Sequence, residues 1–154
     1  ISNDEQDSFD YLNIQSEYFK TFKYNHTFRV FNLYKKASDK TPLNLVSTYG
    51  GYNWAAGYDE FELSSNYLSL LGFEYQFHYK NSTTLRFIVN HLEKFNTLLF
   101  DGPEIDNPIN YGFGIKIKSI LGPINFTWGR GYDTIMNKNS KRVNIFYFNF
   151  GVQL

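Results

Sequence analysis

The sequence predicts an all-β chain: about eight antiparallel transmembrane β-barrel strands, one face toward lipid and the other toward a watery interior. Three observations predict it. First, Arg142 to Leu154 alternates with period two. Phe146, Phe148, Phe150, Val152 and Leu154 make a lipid-facing closing strand, and Ile145, Tyr147, Asn149, Gly151 and Gln153 make its mixed opposite face. A bare apolar edge of that length invites aggregation in water, whereas a barrel in lipid requires it. Second, aromatics make up 20% of the chain, with 16 Phe, 13 Tyr and 2 Trp, yet the mean hydropathy is −0.42. Alternation reconciles the two values, and no run of about 18 apolar residues exists to form a membrane helix. Third, Asn110 to Ser119 places Tyr111, Phe113, Ile115 and Ile117 opposite Gly112, Gly114, Lys116 and Lys118. Two lysines are hard to satisfy in a packed core and cost little in a wet lumen. The competing fold is a soluble β-sandwich or a lipocalin-like barrel, in which the apolar faces point inward.

The elements follow in order. Phe9 to Lys20 alternates loosely, with Leu12, Ile14 and Tyr18 opposite Tyr11, Asn13, Gln15 and Glu17. His26 to Lys36 is a second strand whose inward face stays unassigned, because Phe28, Val30, Phe31 and Leu33 straddle both sides. Pro42 marks a turn before a short strand, Leu43 to Tyr49. The pattern then breaks: Gly50 to Ser65 is a long loop rich in glycine and aromatics, and loops of that length are usually functional or disordered. Gly50, Gly51, Gly57 and the neighbouring Trp54 and Tyr58 favour a packed loop. Tyr67 to Lys80 alternates best, with Tyr67, Leu71, Phe73, Tyr75, Phe77 and Tyr79 opposite Gly72, Glu74, Gln76, His78 and Lys80. A tight turn at Asn81 to Thr83 leads into Thr84 to Phe95, and a second long loop covers Asn96 to Pro108. After Asn110 to Ser119, a turn at Ile120 to Gly122 opens Pro123 to Tyr132, with Ile124, Phe126 and Trp128 on one face. Asp133 to Lys141 is a polar loop before the closing strand. Short connections alternate with long ones, as in a barrel with a periplasmic and an outer end. The chain reads as a single barrel domain or part of one.

Four of these elements, in order, resemble a known superfamily. Gly50-Gly51, five residues, then Gly57-Tyr58 resembles the inward-folded loop of outer-membrane assembly-factor and two-partner-secretion barrels. Asn66-Tyr67-Leu68 leading to Gly72-Phe73-Glu74-Tyr75-Gln76-Phe77 resembles the strand after that loop. Leu121-Gly122-Pro123-Ile124 and Phe146 to Leu154 resemble the last two strands. The resemblance implies the second half of a sixteen-stranded barrel, and it looks most like barrels attached to patatin-like phospholipase domains of Gram-negative bacteria. The family's loop carries an arginine before its Gly-aromatic pair, reaching an acidic group on the inner wall. Here Ala56 occupies that position, which leaves Glu74 without the partner the family would supply.

Chemistry is sparse. No G-x-S-x-G nucleophile elbow occurs. His26, His78 and His91 lack metal-ligand spacing, and Asp101, Glu104 and Asp106 lack the regular ligand series of a calcium loop. No cofactor or metal is expected, and the chain is not read as an enzyme. Fifteen basic residues balance fifteen acidic ones, which argues against nucleic acid as a partner, and cysteine is absent. Glu74, Gln76, His78, Arg86, Lys116 and Lys118 form the expected lumen-facing set, whose plain reading is that a barrel interior has to be polar. Trp54, Tyr58 and Trp128 are expected as interfacial girdle residues. The resemblance implies an outer-membrane address, an anchoring or display role for an upstream domain, and three partners: membrane lipid, the first half of the barrel, and the barrel-assembly machinery. A self-contained eight-stranded barrel of the adhesin or integrity class is the alternative.

Overall fold

The computed structural model describes residues 10–23, 25–38, 48–51, 53–58, 63–80, 82–97, 109–120, 122–132 and 142–151. The described elements are all strands: β1 Tyr11–Phe22, β2 His26–Ala37, β3 Thr48–Tyr49, β4 Leu63–Tyr79, β5 Thr83–Thr97, β6 Ile109–Ser119, β7 Gly122–Tyr132 and β8 Arg142–Phe150. Seven of them form one antiparallel sheet in the order β1-β2-β4-β5-β6-β7-β8. The sheet is open: β1 pairs with β2, β8 pairs with β7, and among the described residues no ladder joins β1 to β8.

Of the short strand expected at Leu43 to Tyr49, Thr48–Tyr49 is a strand and the rest lies outside the described residues; Thr48–Tyr49 pairs off the main path with Leu63 and Ser64 at the start of β4. It thereby draws together the two ends of the segment between them. β4 also begins earlier than the sequence suggests, at Leu63, and β5 runs on to Thr97. Register shifts between Ser65 and Leu68 and between Ser69 and Leu70 show why the alternation there is hard to read: a bulge moves side chains from one face to the other. Of the expected loop Asn96 to Pro108, Asn96 and Thr97 instead continue β5, and 98–108 with Asp101, Glu104 and Asp106 lies outside the described residues, as do the expected loop at 133–141 and Val152 and Leu154.

Three tight connections lie at one end of the sheet. Lys23 and Lys80 take positive φ values of 46° and 51° in the first two, and Gly122, at φ 127°, follows the third. The connections at the other end are long, and they include Gly50 to Tyr58.

Direct strand partners point to the same side, so the register sorts the faces. Arg29 pairs with Glu74, Glu74 with Ile88, Ile88 with Gly112 and Gly112 with Gly129, and these residues share what we call the loop face. The opposite, outer face carries large exposed apolar residues from every strand of the sheet. Ile14 and Tyr18 stand on β1, Val30 on β2, Phe73 on β4, Phe87 on β5, Phe113 on β6, Phe126 on β7, and Phe146, Phe148 and Phe150 on β8. β2, ambiguous in sequence, now has a definite sense. Thr27, Arg29, Phe31, Leu33 and Lys35 are buried on the loop face, while Phe28, Val30 and Tyr34 turn outward. Both sides of β2 are apolar because one meets the loop and the other does not.

Candidate functional site

The Gly50 to Tyr58 segment folds on itself before it meets the sheet. Gly51 N–H donates to Tyr58 O (2.9 Å), Ala55 N–H to Gly51 O (3.1 Å) and Tyr58 N–H to Ala55 O (3.2 Å). The last bond closes a four-residue turn, Ala55 to Tyr58, with Gly57 third at φ 90°. That position of a type II turn requires positive φ, which is why glycine stands there.

The turn is seated in a depression made by missing side chains. A Cβ on Gly57 would overlap the backbone nitrogen of Gly131, and one on Gly129 would overlap the backbone of Gly57. One on Gly112 would crowd the methyl group of Ala56 at 3.0 Å. Glycines on β6 and β7 therefore let loop backbone lie directly on sheet backbone. Tyr147 of β8 clasps it: Gly57 N–H donates to Tyr147 Oη (2.9 Å), and the Tyr147 hydroxyl donates to Tyr58 O (2.6 Å). Ala55, Ala56 and Tyr58 join Phe31, Leu33, Leu68, Leu70, Ile88 and Leu92 in a single buried cluster. Trp54 packs edge-on against Phe31, with centroids 5.5 Å apart. This corrects the girdle assignment of Trp54 and Tyr58. Both belong to the loop and pack on the inside of the sheet, because their segment is held by glycine contacts rather than by strand alternation. Trp128 stands on the outer face, in edge contact with Tyr111.

Beside the turn lies a buried charge cluster. Glu74, 1% exposed, accepts from Arg29 Nη1 (2.8 Å) and Arg86 Nη2 (2.9 Å) through Oε2, and from Gln76 Nε2 (2.8 Å) through Oε1. Glu17 of β1 holds Arg29 Nε at 2.9 Å. With Ala56 at the loop position, Glu74 finds its partners elsewhere: two guanidiniums reach it from the sheet itself, one strand away on each side. Those guanidiniums also grip the loop. Arg29 Nη1 donates to Asn53 O (3.0 Å) and Arg86 Nη1 to Asn53 Oδ1 (3.3 Å), while Asn90 Nδ2 donates to Trp54 O (3.0 Å). Arg29 further lies 4.3 Å from the Phe31 ring centroid and 5.2 Å from that of Trp54. A carboxylate this deeply buried is tolerable only because every oxygen is engaged.

Toward the tight-turn end the loop face is uncovered and polar. A cavity of ≈ 510 Å³ opens there, walled by Gln76, His78, Arg86, Lys116, Lys118 and Asn125 among others, with Arg29, Asn53 and Glu74 at its margin. Lys116 and Lys118 are exposed in it. His78 bridges Thr27 Oγ1 (3.0 Å) and Thr84 Oγ1 (3.1 Å), so both ring nitrogens are occupied. Among the described residues no group of His, Asp or Glu could hold a metal ion.

The six residues read from sequence as one polar set therefore meet around one cavity, with Glu74 sealed beneath its guanidinium partners. Sequence reasoning missed Arg29, Asn53 and Tyr147. Arg29 is 45 positions from Glu74 and Gly57 is 90 from Tyr147, so no local pattern brings them together. Phe146, Phe148 and Phe150 stand exposed on the outer face of β8, opposite Tyr147. No protein-family model matches the chain, and no curated protein matches its sequence.

Proposed function

We propose that this chain is the second half of an outer-membrane β-barrel, resembling the patatin-associated branch of the assembly-factor superfamily. It embeds and displays, or helps to translocate, a domain encoded upstream. The role is structural rather than enzymatic: the outer aromatics set depth in the bilayer and the seated loop plugs the lumen. The observation that carries this reading is an apolar outer face, continuous over all seven strands, on a sheet whose β1 and β8 edges are both unpaired among the described residues. Patches of that extent are not left in water by soluble monomers. On β4 the outer-face run from Leu71 to Tyr79 lies within the 17-residue strand and matches the roughly 9–11 residues with which a tilted membrane strand crosses a bilayer. The open edges favour a partner half-barrel over self-closure, because unpaired backbone is not tolerated in lipid.

The two tryptophans provide the test. In Trp54→Phe protein reconstituted with brominated phospholipid, the remaining Trp128 is quenched. In Trp128→Phe protein, the loop's Trp54 is not. The reverse pattern, or no quenching of either, would remove the membrane reading in favour of a soluble binding barrel. Closure is tested separately with paired cysteines at Asn13 and Asn149 in the edge strands. Efficient cross-linking within one chain would replace the half-barrel with the self-contained eight-stranded alternative.

A further inference from the structure

The balanced total charge of the chain conceals an uneven distribution. In the half of each strand nearest the tight turns, together with the turns, stand seven basic residues (Lys20, Lys23, Arg29, Lys80, Arg86, Lys116 and Lys118) and two acidic ones, Glu17 and Glu74. The other thirteen acidic residues lie in the first ten positions, in β5 at Glu93, or in the long connections. Both carboxylates of the basic half are already spent on guanidiniums. Glu74 is the one carboxylate among the described cavity-lining residues, and it is sealed from solvent. What the cavity offers to a visitor is therefore the ammonium groups of Lys116 and Lys118 and the amides of Gln76 and Asn125. No described carboxylate pairs with either lysine, which stand two residues apart on β6 and so point to the same side.

We propose that this cavity is a binding site for a phosphate-bearing anion, held by Lys116 and Lys118. Three features carry it. A concave site lined by one sign of accessible charge concentrates counter-ions. Paired ammonium groups with amide donors beside them satisfy several phosphate oxygens at once. A volume of ≈ 510 Å³ accommodates a phosphorylated small molecule or a lipid headgroup, within the usual range for ligand sites. The basic turn residues Lys23 and Lys80 lie at the same end of the sheet and extend the field outward. The inference stands on the cavity alone, so it survives if the outer face proves not to sit in lipid.

The test uses the purified full-length protein in neutral detergent at low ionic strength. Inorganic pyrophosphate is titrated calorimetrically against wild type, Lys116→Gln/Lys118→Gln and Lys116→Arg/Lys118→Arg. In parallel, phosphatidylglycerol binding to the same three proteins is followed by native mass spectrometry. Each glutamine is expected to weaken binding about tenfold, the loss typical of one charge-assisted hydrogen bond, while the arginine pair retains it. Lysine-dependent binding of pyrophosphate identifies free phosphate compounds as a source. Lysine-dependent binding of the lipid alone identifies a headgroup. Equal behaviour of wild type and the glutamine pair in both arms overturns the site. Unchanged circular dichroism of the variants keeps that outcome meaningful.

Discussion

The two halves of the loop face start from the same alternating strands and end in opposite chemistry. Toward the long connections, Phe31, Leu33, Leu68, Leu70, Ile88 and Leu92 turn inward and are sealed by Ala55, Ala56 and Tyr58 of the loop. Toward the tight turns, the inward positions are Gln76, His78, Lys116, Lys118 and Asn125, and nothing described covers them. The cluster of buried Arg29 and Glu74 with part-buried Arg86, joined at its rim by exposed Glu17, marks the boundary. It faces the loop with donors for Asn53 and faces the cavity with the edge of a guanidinium. The loop face is therefore not uniformly polar, in contrast to the sequence expectation of a wet interior. One face of a sheet can be half core and half open when a loop returns to cover part of it.

Substitutions at the boundary should have the largest effects. Glu74→Gln keeps the shape but leaves two guanidiniums without their shared carboxylate. The expected cost is about 3–5 kcal/mol, as for breaking a buried ion pair, read from the urea midpoint of the folded form. A loss below about 1 kcal/mol would mean that water reaches the cluster and the boundary is not a seal. Gly57→Ala comes next. The new methyl group has nowhere to go against Gly131, and φ 90° disfavours any side chain, so the turn should lift off its seat. Acrylamide quenching of Trp54 should rise markedly while the strand signature in circular dichroism persists; unchanged quenching would contradict the glycine seat.

Tyr147→Phe removes the clasp. The Gly57 N–H and the Tyr58 carbonyl lose a partner, though Tyr58 O keeps its bond from Gly51, so a loss of about 1–3 kcal/mol is expected. Combining it with Gly57→Ala should give less than the sum, since both act on one contact. Strict additivity would show that Tyr147 stabilises β8 independently of the loop. In the open half, Lys116→Gln should change stability by less than about 0.5 kcal/mol, because the side chain is exposed. A larger effect would place Lys116 in a structural network and blur the contrast between the halves.

Much of this was legible in the residues. Period-two alternation placed β4 and β6 to β8 within a few positions and sorted their faces correctly, because in a strand adjacent side chains must point opposite ways. The alternation starts two residues before β1 and assigns β2 no inward side. For β2 the reason is physical: Phe31 and Leu33 are apolar for the loop's sake, and alternation reports only that a face is covered, never by what. The same limit explains Trp54 and Tyr58. Aromatics in a glycine-rich loop suit a bilayer girdle or a packed interior equally well until the partner surface is known.

The sequence by itself determined the strands, their two faces and the compactness of the Gly50 to Tyr58 turn, since each depends on backbone sterics and near neighbours. Tertiary structure alone decided where that turn docks, that Arg29 and Arg86 both reach Glu74, and that the basic residues gather at one end of the sheet. Those outcomes depend on pairing register between strands dozens of residues apart, and on gaps that exist only once glycines of different strands lie side by side.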